Sequence, residues 1–291
     1  MSSVLAPMAH SYYSQRRGTN PNQSGLPLKD IIDLYIRVYD QMSEDGYFCE
    51  AFGYECVDAG HINGNVRDID LELLLAVRKK NLWPPHVCGE TYTEDDFFDV
   101  VEFLFQQVSK PIDGSFHSYA QCGMHWETFN KQQGQIEYRD KVNAVLGHYA
   151  KPFELSENGE ILHKPQQGFE KIFDADIPSS DSNISNRISA AILRYRRHGA
   201  TLDDRRQAVR DLADVLEYTR SEIKSLLTSA DERDLFNLAN NFGIRHHNDQ
   251  QKTGYDASLW LSWMFYFYLA TIHVILRKQQ QSRADHPQID K

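Results

Sequence analysis

Residues 257–276, "ASLWLSWMFYFYLATIHVIL", run for twenty positions without an Asp, Glu, Lys or Arg. This stretch restricts the fold strongly, because a helix that is apolar on every side has to be covered on every side. A bilayer is one cover: the length suffices, and Arg277 and Lys278 would form a cytoplasmic flank. Tyr266 and Tyr268 at the centre of the run argue against it, since spanning helices carry polar-tipped aromatics at their ends. Ser262, Thr271 and His273 add polar groups along its length. The expectation is a helix buried between neighbours or in a dimer, in a cytoplasmic chain without membrane anchoring.

The remaining sequence reads as mainly α. "LKDIIDLYIRVYDQM" places Leu28, Ile31, Ile32, Tyr35 and Tyr39 on one face. "YTEDDFFDVVEFLFQQVSKP" opens with Thr93 and Asp96 as a capping box and carries Phe97, Val101, Leu104 and Val108 at helical spacing. The clearest β signal is "FELSENGEILH", where Asn158-Gly159 suits a hairpin turn. Residues 44–66 and 112–134 read as irregular. A polar, Ser-rich stretch around 174–186, broken by Pro178, suggests a linker.

Beyond that stretch the pattern is purely helical. "DRRQAVRDLADVLEYTRSEIKSLL" keeps Ala208, Leu212, Val215, Leu216, Thr219, Ile223 and Leu226 in register as one helix. Ser229 to Glu232 reads as another capping box, and Gly243 as the left-handed end of the helix that follows. The expected organisation is a flexible arm over 1–24 and an α-rich N-terminal domain over 25–178 with a small hairpin near 153–163. An antiparallel four-helix bundle over 185–280 and a disordered tail over 281–291 complete it.

With 31 basic and 41 acidic residues, a formal charge of -10 excludes a generally basic nucleic-acid coat, though not a local basic site. Four scattered Cys fit a reduced intracellular chain rather than a disulfide framework. "NLANNFGIRHHNDQQ" is the most chemical segment. Two imidazoles near neutral pKa, His246 and His247, could exchange protons with a ribose 2′-hydroxyl and a leaving oxygen. Arg245 could hold the phosphate between them. The alternative is a polar turn whose cations pair with Asp249, Asp256 or Glu217.

A helical bundle with "LANNFGIRHHND" before its last long helix resembles the HEPN superfamily, the higher eukaryotes and prokaryotes nucleotide-binding domains. More narrowly, residues 185–280 resemble the C-terminal domains of bacterial abortive-infection proteins, with Asn240, Gly243 and His246 at the matching spacing. The resemblance implies a HEPN-like effector of antiviral defence, a homodimer through the C-terminal bundle, and a metal-independent endoribonuclease. In it Arg245, His246 and His247 would be catalytic, and Asn240 or Asn241 would orient the phosphate. The sequence departs from the family at one point: Ala239 stands where the Arg before the Asn is expected, and no Arg-x(4–6)-His occurs in the chain. A non-catalytic RNA-binding or scaffold subunit, working with a second defence protein, is therefore the competing expectation.

Arg194, Arg196, Arg197, Arg205 and Arg206 could form an RNA-backbone track, or be solvated faces balanced by Asp203, Asp204, Asp211 and Asp214. His86 and Cys88, with Cys122 and His125, offer four zinc donors in two local pairs, but the pairs lie about thirty residues apart and match no finger spacing. Buried Cys acting as small apolar residues is the ordinary alternative. No cofactor and no resident metal is expected.

Overall fold

The computed structural model describes residues 12–22, 24–166, 168–173, 175–179, 181–226, 228–241 and 256–285. Among the described residues helix makes up 60% and strand 13%, so the chain is mainly helical with small antiparallel hairpins. In chain order the elements begin with α1 (Tyr13–Arg16), α2 (Leu28–Glu44) and α3 (Cys49–Phe52), then the strands β1 (Tyr54–Cys56) and β2 (Gly60–Ile62). Next come α4 (Ile69–Val77), α5 (Pro85–Cys88) and α6 (Glu94–Gln107), then β3 (Lys110–His117), β4 (Gly123–Asn130) and α7 (Lys131–Leu146). The hairpin β5 (Phe153–Leu155) and β6 (Ile161–His163) follows, then α8 (Glu170–Phe173), α9 (Ser182–Arg196), α10 (Leu202–Tyr218), α11 (Arg220–Leu226), α12 (Ser229–Asn241) and α13 (Ala257–Asp285).

The chain divides into two compact units, the first ending at Ile161 and the second starting at Leu162. That division falls inside the β5–β6 hairpin rather than at the Ser-rich stretch. The reason is packing: Ile172, Phe173 and Ile177, inside or beside the expected linker, lie against the core of the second unit. The expected N-terminal arm also holds some order, since α1 forms there.

In the first unit α2, α6 and α7 bury their apolar stripes together. Thr93 caps α6 as its pattern requires: its hydroxyl accepts from the Asp96 N–H, and the Asp96 carboxylate accepts from the Thr93 N–H. Phe97, Val101 and Leu104 on its inner face are fully buried. The Tyr35 and Tyr138 hydroxyls meet at 2.7 Å, and Tyr138 donates to the Val101 carbonyl at 3.0 Å. Since that bond uses the single proton of Tyr138, Tyr35 must be the donor between the two rings. Asn143 then pins β5, donating to the Leu155 carbonyl and accepting its N–H.

Glu137 on α7 collects Lys110 at 2.6 Å, Gln133 at 2.8 Å and the Tyr47 hydroxyl. The Lys110 ammonium foremost, then Tyr47, hold its carboxyl down to about 2. A depressed folded value stabilises the protein above the unfolded value of about 4.3 and is lost as pH falls toward about 2. Glu137→Gln should therefore cost on the order of 1 kcal/mol at pH 7, after allowance for its partial exposure. In urea titrations that deficit should shrink between about pH 4 and pH 2. A deficit independent of pH would mean that packing, not charge, is what the substitution disturbs.

In the second unit α9, α10, α11 and α13 surround one core, with Leu235 of α12 also buried in it. Thr201 and Asp204 form the capping box of α10. The helix expected to run on to Leu226 instead breaks at Thr219, which is buried and donates its hydroxyl to the Val215 carbonyl at 3.0 Å. Such back-bonding competes with the helical ladder. Arg220, first in α11, pairs with Glu217 at 2.9 Å and Glu232 at 2.7 Å, so Glu232 serves as an ion partner of the neighbouring helix. Within α13, Ala257–Gln281 is long and apolar enough to cross a membrane, with a mean hydropathy of 1.6, and 56% of its most apolar window is buried in the protein. Leu261, Met264, Phe265, Tyr268, Leu269, Ile272, Ile275 and Leu276 form that buried face.

Candidate metal centre

Two hairpins of the first unit bring soft donors together. In the shorter one β1 pairs with β2 in the register Tyr54↔Ile62, Glu55↔His61 and Cys56↔Gly60. Gly53, just before β1, lets the end of β2 come close, because at φ +79° a Cβ there would sit 1.9 Å from the Ile62 carbonyl oxygen. Cys56, the last residue of β1, is buried. In the longer hairpin β3 and β4 pair from Lys110↔Asn130 to His117↔Gly123. Gly114 lets the strands close on each other, since a Cβ would meet the His125 carbonyl oxygen at 2.2 Å. At the tip Ala120 and Gln121 both take positive φ, and the Cys122 N–H donates to the Tyr119 carbonyl at 3.0 Å. That tight reversal returns the chain so that Cys122 comes beside His125.

Cys56, His117, Cys122 and His125 each direct one donor atom into a common space, all four atoms within 4.8 Å of one another. The Cys56 sulfur lies 3.9 Å from Nδ1 of His117, and the Cys122 sulfur 3.2 Å from Nε2 of His125. The two imidazole rings are 5.1 Å apart and steeply inclined. His117 turns its other nitrogen, Nε2, to Asp58 Oδ2 at 3.2 Å. The ring of Tyr54 covers His125 at 4.8 Å.

Of the four zinc donors expected from the sequence, Cys122 and His125 are in this cluster and His86 and Cys88 are not. Both of the latter belong to the short helix α5, where the Cys88 thiol donates to the Trp83 carbonyl at 3.2 Å. Their places are taken by Cys56 and His117. A local signal for the second was present: His117-x4-Cys122-x2-His125 sets three donors within nine residues. Among the other acids and bases near Cys56, His61 pairs with Glu55 at 2.8 Å, and Asp68 caps α4 through the Leu71 N–H.

The expected RNA track is engaged within the second unit. Arg194 pairs with Asp211 and Arg206 with Asp203, both at 2.5 Å. Arg196 is buried, donates to the His163 carbonyl at 3.0 Å and stacks over Phe173. Arg205 lies over the ring of Tyr195, while Arg197 caps the end of α9 and stays exposed. Asn240 and Asn241 form the last turn of α12. Arg245, His246 and His247 fall outside the described residues.

Comparison of the chain with protein-family models, with curated proteins and with solved structures returns no match.

Proposed function

We propose that the second unit is a HEPN-like bundle, the effector of an abortive-infection type of antiviral defence, and that it acts on RNA as a homodimer. The observation that carries this reading is the surface of α13. Trp260, Trp263, Phe267 and Val274 remain exposed on the helix whose opposite face fills the core. With Ala270 they recur at alternating steps of three and four, the spacing of a coiled-coil seam. Trp260 and Trp263 meet edge-on at 5.4 Å, and Trp263 stacks on Phe267 at 5.5 Å, so the seam is one continuous aromatic ridge. A second copy of the helix would cover it. The residues joining α12 to α13 include "GIRHHND", so dimerisation through α13 would bring two copies of that segment toward one cleft.

In that cleft His246 or His247 would take the proton of a ribose 2′-hydroxyl as its oxygen attacks the adjacent phosphorus. The other imidazole would return a proton to the departing 5′-oxygen, leaving a 2′,3′-cyclic phosphate. Arg245 would hold the phosphoryl oxygens, with Asn240 or Asn241 orienting them.

A second reading is a non-catalytic RNA-binding or scaffold subunit of a defence system. It is favoured by Ala239 at the place of the family's Arg, and by Arg194 and Arg206, which are committed to acids of their own unit. Incubating the purified chain with total RNA in magnesium-free buffer, with and without EDTA, separates the two. Cleavage with cyclic-phosphate ends, reduced about 100-fold or more in His246→Ala, is expected of the nuclease. A stable complex without cleavage supports the subunit, and neither cleavage nor binding removes RNA from the account.

A further inference from the structure

We propose that Cys56, His117, Cys122 and His125 bind one Zn²⁺ as a closed structural site, independently of what the second unit does. Zinc takes thiolate sulfur at about 2.3 Å and imidazole nitrogen at about 2.0–2.1 Å in a tetrahedron, which sets donor–donor edges of about 3.4–3.8 Å. Two of the sulfur–nitrogen separations, 3.9 and 3.2 Å, lie within a few tenths of an ångström of those edges, and no pair of donors is more than 4.8 Å apart, about an ångström beyond the longest edge. Two sulfurs and two nitrogens are the soft and borderline donors that select zinc over magnesium or calcium.

The surroundings fit a metal ligand set better than a set of chance neighbours. His117 offers Nδ1 to the centre while Nε2 faces Asp58, the carboxylate–histidine arrangement that orients an imidazole on zinc. All four tetrahedral positions are filled from the chain, so no position is left for water or substrate, and the role is structural. The thiols bind as thiolates, releasing their protons to solvent.

The fold also has a need for such a clasp. Neither β3 nor β4 contains a single buried residue. A two-stranded hairpin without an apolar face is marginal in water. Its base is held by Trp126 over Gly46 and by the Ser109 N–H on the Tyr47 carbonyl. Its tip has three of the donors, His117, Cys122 and His125, which meet Cys56 at the end of β1. The zinc-held tip carries Phe116 and Tyr119 into solvent, 69% and 65% exposed.

The full-length protein, expressed in zinc-supplemented medium and dialysed without chelator, should contain one zinc per chain by elemental analysis. Replacement by cobalt should give tetrahedral visible bands and a thiolate charge-transfer band. Cys122→Ser should reduce zinc to background, Asp58→Asn should weaken affinity about 10–100-fold, and Cys88→Ser should leave both unchanged. His125→Cys, which keeps a zinc donor, should still bind and strengthen the charge-transfer band, and it serves if Cys122→Ser does not fold. Wild-type protein without zinc under these conditions, octahedral cobalt spectra, a Cys56–Cys122 disulfide in protein purified under reducing conditions, or loss of metal in Cys88→Ser would each overturn the assignment.

Discussion

Phe97→Ala should destabilise the first unit by about 3–5 kcal/mol and leave the second unit as it was. Phe97 is fully buried on α6, edge-on to Tyr35 at 5.2 Å and tilted against Phe98 at 5.3 Å. Truncation removes both ring contacts and leaves a cavity that the surrounding aromatic rings, already packed on other neighbours, cannot close. The two units have separate sets of core residues. The loss should therefore stay local, appearing as a melting transition lowered by roughly 10–20 °C. Hydrogen exchange read on peptides of α2, α6 and α7 should accelerate, while peptides of α10 and the buried face of α13 keep their protection. Equal acceleration in both sets would show that the cores unfold as one.

The double substitution Trp263→Asp with Phe267→Asp should turn the proposed dimer into a folded monomer. Both side chains lie outside the core of their own unit, 41% and 37% exposed, so helicity and melting of the monomer should hardly change. Across a seam the same two carboxylates would face their copies in apolar surroundings. Two losses the size of an interface hot spot, about 2 kcal/mol each, weaken association roughly a thousandfold. Sedimentation or light scattering of wild type and variant measures this directly. If the nuclease reading holds, RNA cleavage falls with the dimer, since one copy cannot complete the cleft. A variant that remains dimeric places the interface elsewhere, and a wild type that needs detergent to stay in solution gives the ridge to lipid.

Much of the helical layout was legible because burial and periodicity coincide there. Thr93 caps α6 as its sequence requires, and Phe97, Val101 and Leu104 turn inward together. The β3–β4 hairpin was not legible: with no buried position in either strand, nothing forces an apolar–polar alternation onto the sequence. The break at Thr219 was hidden for the opposite reason, since the apolar register continues across it and its local mark is one Thr whose hydroxyl bonds back to the Val215 carbonyl. Half of the metal centre was visible as Cys122-x2-His125. Cys56 was out of reach, because it meets the others only through the packing that places one hairpin against another. His86 and Cys88 looked equivalent in the sequence, but α5 holds both outside the cluster, with the Cys88 thiol turned to the Trp83 carbonyl.

Cys56 and His117 stand 61 positions apart (117 − 56), with α4, α5 and α6 threaded between them. A finger-type site gathers its ligands from neighbouring turns and can seed its own folding. Here the long intervening segment must be arranged before the donors can meet. Zinc would thus arrive late, sealing a helical scaffold already in place rather than starting it. A nascent chain starved of the ion would keep its interior and lose only the projecting ribbon, making metal uptake a final inspection of this half of the molecule.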